Sequence, residues 1–401
     1  MRKMSVDQSF YREKRLPPYV FAEVNRLKLE YRHQGRDIID LGMGNPDLPP
    51  AAHIVDKLKE VAGDPRAHRY SASQGVPSLR KALARYYQRR FHVDLDPDQE
   101  VCVTLGSKEG LANLAQAVTA PGDVILCPDP SYPIHMFGFI IAGASVRPLA
   151  FHSPEDFLRQ AAHACRHSIP APSVLILNFP SNPTAQVVDL DFYREAVALA
   201  KRENLILISD LAYSEIYFED SPPPSILQVE GARDVAVEFT SMSKTYSMPG
   251  WRIGFAAGSK RLIHALKRVK SYLDYGAFTP IQIAAVAALD GPQDHVAEVR
   301  AIYKARRDVM VESFGRAGFY IPTPPATMFA WAPIPEAYRE LGSVEFSKQL
   351  LERTGVAVAP GLGFGERGDG FVRLAMVENE QRIRQAARNL KGMFLAQAKA
   401  S

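Results

Sequence analysis

The sequence predicts an α/β fold: a large domain with a mostly parallel sheet between helices, joined to a smaller α+β domain. Three observations carry this. Short runs rich in Val, Ile and Leu recur through the middle of the chain. Stretches with apolar residues at helical spacing separate several of them. The C-terminal part then changes character, mixing long amphipathic stretches with Pro- and Gly-rich turns. Parallel neighbours need a crossover, and strands covered on both faces read as unbroken apolar runs, so strand–helix alternation of this kind means a parallel sheet inside two helical layers.

Composition bounds the rest. The chain has 401 residues, enough for about two or three domains of ~150 residues. Hydrophobic residues make up 46% and charged residues 23%, which excludes an intrinsically disordered chain. The 26 Gly and 30 Pro follow no period, which excludes a fibrous repeat. With 48 basic and 44 acidic side chains the net charge is +4, no electrostatic footprint for a nucleic-acid partner. Cys102, Cys127 and Cys165 form no C-x-x-C pair and are too few for a disulfide framework, which fits a reducing compartment. No apolar run reaches the ~18 residues that cross a bilayer, and MRKMSVDQSFYREKRLPPYV lacks the apolar core of a signal peptide. The expectation is a cytoplasmic protein of enzyme size with no membrane partner.

The elements follow in order. Residues 1–45 are too short to form a domain alone and are expected to pack on the smaller domain. Strands are predicted over 101–105 (VCVTL), 124–127 (VILC), 174–178 (VLILN), 205–209 (LILIS), 235–240 (VAVEFT) and 253–257 (IGFAA). Helices are predicted over 107–119 and 191–201, and 136–146 reads as a buried core segment. The LDGPQ stretch at 289–293 marks a junction. Beyond it come a long helix over 296–314, a Pro-rich turn at 321–325, an apolar run at 328–331, a helix over 343–354, a strand over 371–377 and a helix over 380–396. The expected division is a large domain, 46–290, and a small domain formed by 1–45 with 291–401.

Open parallel sheets bind ligands beyond the carboxyl ends of their strands, so the residues after each strand carry the functional reading. After VCVTL, Gly106-Ser107-Lys108 enters a helix, where free amides and a hydroxyl suit a phosphate, or Ser107 serves as a cap. After VILC, Tyr132 in a stiff Pro-rich turn offers a ring for stacking, or packs over a loop. After VLILN, Asn182 stands between prolines as a donor and acceptor, or as part of a turn. After LILIS, Asp210 ends an apolar strand, which is costly unless something positive meets it, or it caps a helix. After VAVEFT, Lys244 follows Ser241 and Ser243; in an apolar, cationic pocket its amine becomes nucleophilic, and on a surface it would merely snorkel. Together the five strand ends supply a phosphate nest, an aromatic face, an Asn amide, a carboxylate and an amine. That set matches pyridoxal 5′-phosphate, which needs a nest for its phosphate, a stacking face, a carboxylate to keep its ring nitrogen protonated, and a lysine for its aldehyde.

At these residues the chain resembles the fold-type I, class I/II pyridoxal-phosphate aminotransferases. The resemblance runs from about 16 to 395, on LGMGNPD (41–47), HRYSASQGVPSLR (68–80), GSKEGL (106–111), PSYP (130–133), NFPSNPTA (178–185), SDLAY (209–213), SMSKTYSMPGWRIGF (241–255) and FVRLA (371–375). RLPPYVF (15–21), YKARRDV (303–309) and GFGERGD (363–369) are similar to the bacterial glutamate–pyruvate (alanine) aminotransferases, with the LL-diaminopimelate aminotransferases somewhat further away. The resemblance implies Lys244 as the amine that takes the aldehyde and then moves the substrate proton, and Asp210 as the partner of the pyridinium nitrogen. It implies Tyr213 and Asn182 on the ring's phenolic oxygen and Tyr132 stacked on the ring. Ser107, Lys108, Ser241, Ser243 and Arg252 would hold the phosphate, the first two through backbone amides. Arg373 would clamp the substrate α-carboxylate beside Asn182, and Gly44 would allow close approach of the backbone to the substrate. Tyr70 would reach the phosphate of a neighbouring subunit, so that a homodimer shares its active sites.

One departure bears on substrate. Typical aspartate aminotransferases read the distal carboxylate with a second arginine from the partner chain, and the matching stretch, SYLDYGAFTP (271–280), contains none. This fits transfer from alanine to 2-oxoglutarate, giving pyruvate and glutamate. Aspartate, methionine or aromatic, and LL-diaminopimelate specificities stay open, as do a β-lyase or decarboxylase on the same fold. Other motifs carry less. Ser241-x-x-Lys244 lacks the partner motifs of serine acylases. Gly361-x-Gly363-x-Gly365 is followed by Glu366 and is no dinucleotide fingerprint. His163 and His167 have helical ligand spacing but no carboxylate beside them, so no metal is expected. Regulators built on this fold carry a fused DNA-binding domain, and the ~40 residues before the first motif are too few for one.

Overall fold

Seven strands form the central sheet of the structure, a computed structural model that describes residues 10–18 and 20–395. The strands are β1 (Val101–Thr104), β2 (Val124–Asp129), β3 (Ser145–Ala150), β4 (Pro172–Asn178), β5 (Ile206–Asp210), β6 (Ala236–Ser241) and β7 (Gly254–Gly258). Their order across the sheet is β1-β7-β6-β5-β4-β2-β3. Every neighbouring pair is parallel except those of β7, which runs antiparallel to β1 and to β6. The expected mostly parallel sheet is therefore present, with one reversed strand.

Both faces of the sheet are covered. Val101 and Val103 enter one apolar cluster, with Leu175, Leu177 and Leu207 and residues of the helices Pro77–Phe91, Leu190–Glu203 and Thr279–Asp290. Cys102 enters the other, with Ile125, Ile176, Ile208 and Phe239 and residues of the helices Ser107–Val118, Pro133–Ala142 and Lys260–Leu273. Successive side chains point to opposite faces, so a strand buried on both must be apolar throughout.

β3 was not anticipated. It is an edge strand that carries Arg147 and Pro148 and exposes its first half, so it shows no apolar run. Proline is tolerated there because an edge leaves one side unpaired. The expected buried segment over 136–146 is divided between the end of the helix Pro133–Ala142 and the start of β3.

The smaller sheet comprises β8 (Phe329–Pro333), β9 (Ala359–Pro360) and β10 (Phe371–Ala375), antiparallel in the order β9-β10-β8. The helices Asp294–Arg316, Gly342–Thr354 and Glu380–Leu395 pack around it. Ile39 and Leu41 lie in the same apolar cluster, and Ile39–Asp40 pairs with Val356–Ala357. The N-terminal part thus packs on the C-terminal part. Residues 1–9, 19 and 396–401 lie outside the described residues; they include the start of the N-terminal stretch, Tyr19 of RLPPYVF and the end of the last predicted helix. Among the described residues no helix is long and apolar enough to cross a membrane.

Candidate active site

The carboxyl ends of β2, β4, β5 and β6 open into one cleft of about 300 Å³. Gly44, Ser107, Lys108, Tyr132, Asn182, Asp210, Tyr213, Ser241, Ser243, Lys244, Arg252 and Arg373 all line it. Twelve of the thirteen expected residues therefore converge. Tyr70 is the exception: it is 86% exposed and rests against Tyr275, with ring centroids 4.6 Å apart.

One end of the cleft is built for an anion. Ser107 opens the helix Ser107–Val118 directly after Gly106, so free amides face the cleft. Gly106 has φ +84, and a Cβ there would lie 2.3 Å from the Arg252 guanidinium. Arg252 donates to the carbonyls of Pro249 (2.9 Å) and Leu105 (3.2 Å), which ties it across this end. The Ser241 hydroxyl accepts from the Ser243 amide at 3.2 Å, and both side chains are buried.

Asp210, Lys244 and Tyr213 also line the cleft. Asp210 is buried at the end of β5, and Oδ1 accepts from the Ala212 amide at 3.2 Å. Its Oδ2 lies 2.8 Å from His135 Nε2, and His135 Nδ1 lies 2.7 Å from the Ser131 hydroxyl. His135 is fully buried. The sequence reading missed it, because it sits inside the apolar helix PIHMFGFIIA; the one signal was a lone polar ring in that helix, four residues after Ser131. The Lys244 amine donates to the Gly44 carbonyl at 3.2 Å. Burial first, and then the positive charges of Arg373 and Arg252, lower it to about 8. Burial drives the Tyr213 hydroxyl well above its ordinary value, so it stays protonated and able to donate.

The far end carries Arg373 on β10. It donates to Asn182 Oδ1 at 2.8 Å and to the Gly42 carbonyl at 3.1 Å. Its guanidinium lies over the rings of Phe329 (4.0 Å) and Phe364 (4.7 Å). Asn182 is held in turn, its amide donating to Asn178 Oδ1 at 2.9 Å. A Cβ on Gly44 would come within 2.6 Å of the Phe329 ring, so only glycine keeps this passage open.

This donor set fits pyridoxal phosphate: an anion cradle that Gly106 keeps clear, a buried carboxylate with its own bracing, an amine of lowered basicity and two tyrosines on the cleft wall. The other motif considered, His163 and His167, places two rings 4.4 Å apart on the helix Pro154–His167. Among the described residues no three His, Cys, Asp or Glu side chains gather in a way that could hold a metal ion.

Comparison with known proteins agrees with the geometry. The family described as aminotransferase class I and II matches residues 36–390. AatC of Rhizobium meliloti, whose aminotransferase name is marked as provisional, is 66% identical over 98% of this chain and 96% of its own. The glutamate-pyruvate aminotransferase AlaC of Escherichia coli is 52% identical over 97% of this chain and 95% of its own. The LL-diaminopimelate aminotransferase of Moorella thermoacetica is 41% identical over 96% of this chain and 98% of its own, and several other relatives near that identity bear the same name. Among solved structures, substrate-bound BacF from Bacillus subtilis superposes with a TM-score of 0.92 at 34% identity, over 97% of this chain and 98% of that one. The chain belongs to the class I and II aminotransferases and is a pyridoxal-phosphate-dependent enzyme of that family.

Proposed function

We propose that this aminotransferase moves an amino group from an L-amino acid to a 2-oxo acid in two successive half-reactions, with the roles divided as follows. When bound, pyridoxal phosphate supplies an aldehyde for the amino group and a protonated ring that withdraws electrons from the reacting carbon. Lys244 Nζ would hold the cofactor through its aldehyde and would carry the proton removed from the substrate Cα. Asp210, braced by His135 and Ser131, would pair with the ring nitrogen and keep it protonated. Tyr213 and Asn182 would serve the ring's phenolic oxygen, and Tyr132 would supply a ring for stacking. Ser107, Lys108, Ser241, Ser243 and Arg252 hold the phosphate. Arg373 and Asn182 receive the α-carboxylate, and Gly44 leaves room for it. The observation that carries this reading is the convergence of Asp210, Lys244, Asn182 and Arg373 from four separate segments on one cleft.

We propose further that 46–290 forms the cofactor-holding domain and that 1–45 with 291–401 forms the small domain bearing Arg373. Tyr70 then serves the phosphate site of a second copy. Its exposure, with that of the neighbouring Tyr272, Leu273, Tyr275 and Phe278, supports a homodimer.

Two donors are put forward. L-alanine, with 2-oxoglutarate as acceptor, rests on the name of the relative at 52% identity. LL-diaminopimelate rests on the name shared by several relatives near 40% identity, and their number weighs toward it. Steady-state rates of glutamate formation from 2-oxoglutarate with each donor decide between them. A kcat/KM for L-alanine at least tenfold above that for LL-diaminopimelate supports the first, and the reverse ratio supports the second; activity with neither removes both.

A further inference from the structure

Arg373 and Lys244 share an unusual source of restraint: each donates to a carbonyl of one short turn. Arg373 Nη2 donates to Gly42 (3.1 Å) and Lys244 Nζ donates to Gly44 (3.2 Å). That turn is held by Asp40, at the end of the short strand Ile39–Asp40. Asp40 Oδ1 accepts the backbone amides of Gly42 (3.1 Å) and Met43 (3.3 Å). Asp40 Oδ2 accepts from Lys28 Nζ at 2.7 Å, and the Arg32 guanidinium stands 3.6 Å away. Lys28 comes from the helix Phe21–His33, its side chain is 7% exposed, and it lines the cleft.

We propose that Lys28 and Asp40 are positioning residues for amino transfer: the buried pair holds the 42–44 turn, whose two carbonyls aim Arg373 at the substrate carboxylate and hold the Lys244 amine in register with it. The physical argument is that a carboxylate accepting two successive amides fixes a turn, as an Asx turn does. A carboxylate 15% exposed and an ammonium 7% exposed each need the other. The N-terminal helix is thereby tied to the reacting end of the cleft through one carboxylate. The inference rests on the roles proposed above for Arg373 and Lys244.

The test uses the holoenzyme and the variants Asp40→Ala, Asp40→Asn and Lys28→Met, each first shown by its melting curve to be folded at the assay temperature. Two readouts are taken: KM and kcat for the better amino donor, and the dissociation constant of propionate, a monocarboxylate with no amine to transfer, from the absorbance of the bound cofactor. The expected result for Asp40→Ala is a KM and a propionate dissociation constant raised ~10-fold or more, with kcat changed less, as follows from a misaimed carboxylate clamp. Asp40→Asn keeps an oxygen for the two amides and should recover most of that loss. Lys28→Met should shift both readouts in the same direction by a smaller factor.

If Asp40→Ala is folded and leaves both readouts unchanged, the proposal is wrong. If Lys28→Met raises KM for 2-oxoglutarate while leaving the donor and propionate untouched, Lys28 touches substrate directly and its positioning role falls. Should Asp40→Ala fail to fold, Lys28→Met carries the comparison, and no change in either readout there means the proposal is wrong. Arg373→Leu is the separate control. Loss of propionate binding there, with none in the Asp40 and Lys28 variants, overturns the brace alone. No loss there overturns the clamp on which the brace rests.

Discussion

At Lys244 the chemistry depends on an amine that gives up its proton beside the guanidinium groups of Arg373 and Arg252. Arg373 and Arg252 keep theirs, so the burden falls on the lysine, whose amine is lowered to about 8 by burial and by those two neighbours. The folded value lies below the ordinary 10.5, so the neutral amine is favoured in the folded protein. The associated stability is present above 10.5 and is lost as pH falls toward about 8, where the amine takes up its proton inside the cleft. The rate at which apoprotein takes up pyridoxal phosphate should therefore rise with pH through about 8 and then level. Arg373→Leu should move that midpoint upward by removing a cation, and a midpoint that stays in place would count against the electrostatic cause. Lys244 and Asp210 could be read in the sequence because a charged residue beside an apolar strand stands out, whereas Arg373 came only with the family resemblance. His135 and Asp40 could not, because their partners are distant in sequence: Asp210 is far from His135, and the carbonyls that Asp40 positions point at Arg373 and Lys244.

Within the elements, β6 carries a carboxylate where its neighbours are apolar. Glu238 is fully buried, and it accepts from Tyr87 (3.0 Å), Ser209 (3.1 Å), Ser225 (2.5 Å) and the amide of Ile226 (3.2 Å). Those four donors explain how VAVEFT forms a central strand despite its Glu. Burial still raises the group to about 7, above the ordinary 4.5. The folded protein then holds a proton that the unfolded chain has released, so this group's contribution to stability falls as pH rises from 4.5 to about 7. At ~1.4 kcal/mol per unit the fall is on the order of 3 kcal/mol. Glu238→Gln should flatten that part of the pH–stability curve in urea denaturation; an unchanged slope would show that the group titrates at its ordinary value. Six of the seven strands were legible as apolar runs, because burial on two faces demands them. β3 was not, since an edge strand meets no such demand, and the reversal of β7 leaves no mark on its apolar run.

For the molecule as a whole, the cleft is a joint product. Asp210 and Lys244 come from the ends of the large sheet and Arg373 from the small one. Arg306 and Asp47, joined by two bonds of 2.8 Å, bind the start of the chain to its C-terminal part. That Ile39 and Leu41 share a core with residues beyond 290 was legible only in part: their shortness excluded independence, and the pairing with Val356–Ala357 needed coordinates. Tyr70 is exposed and does not line the cleft of its own chain. If the site is shared, mixing and reassembling Lys244→Ala with Tyr70→Ala should restore activity that neither variant has at limiting cofactor. In the hybrid, one site gathers both lesions and the other has none. No recovery after verified subunit exchange would argue that each copy works alone.

The central claim is that Lys244 holds pyridoxal phosphate in a cleft where an amino acid surrenders its amine. The most direct measurement is the visible absorption of the purified, reconstituted protein, before and after an amino donor is added with no oxo acid present. The account predicts a visible cofactor band that fades as one equivalent of oxo acid appears, with pyruvate as the product if L-alanine is the donor. Reconstitution that yields no band, or a band that no donor from alanine to LL-diaminopimelate bleaches, would contradict it.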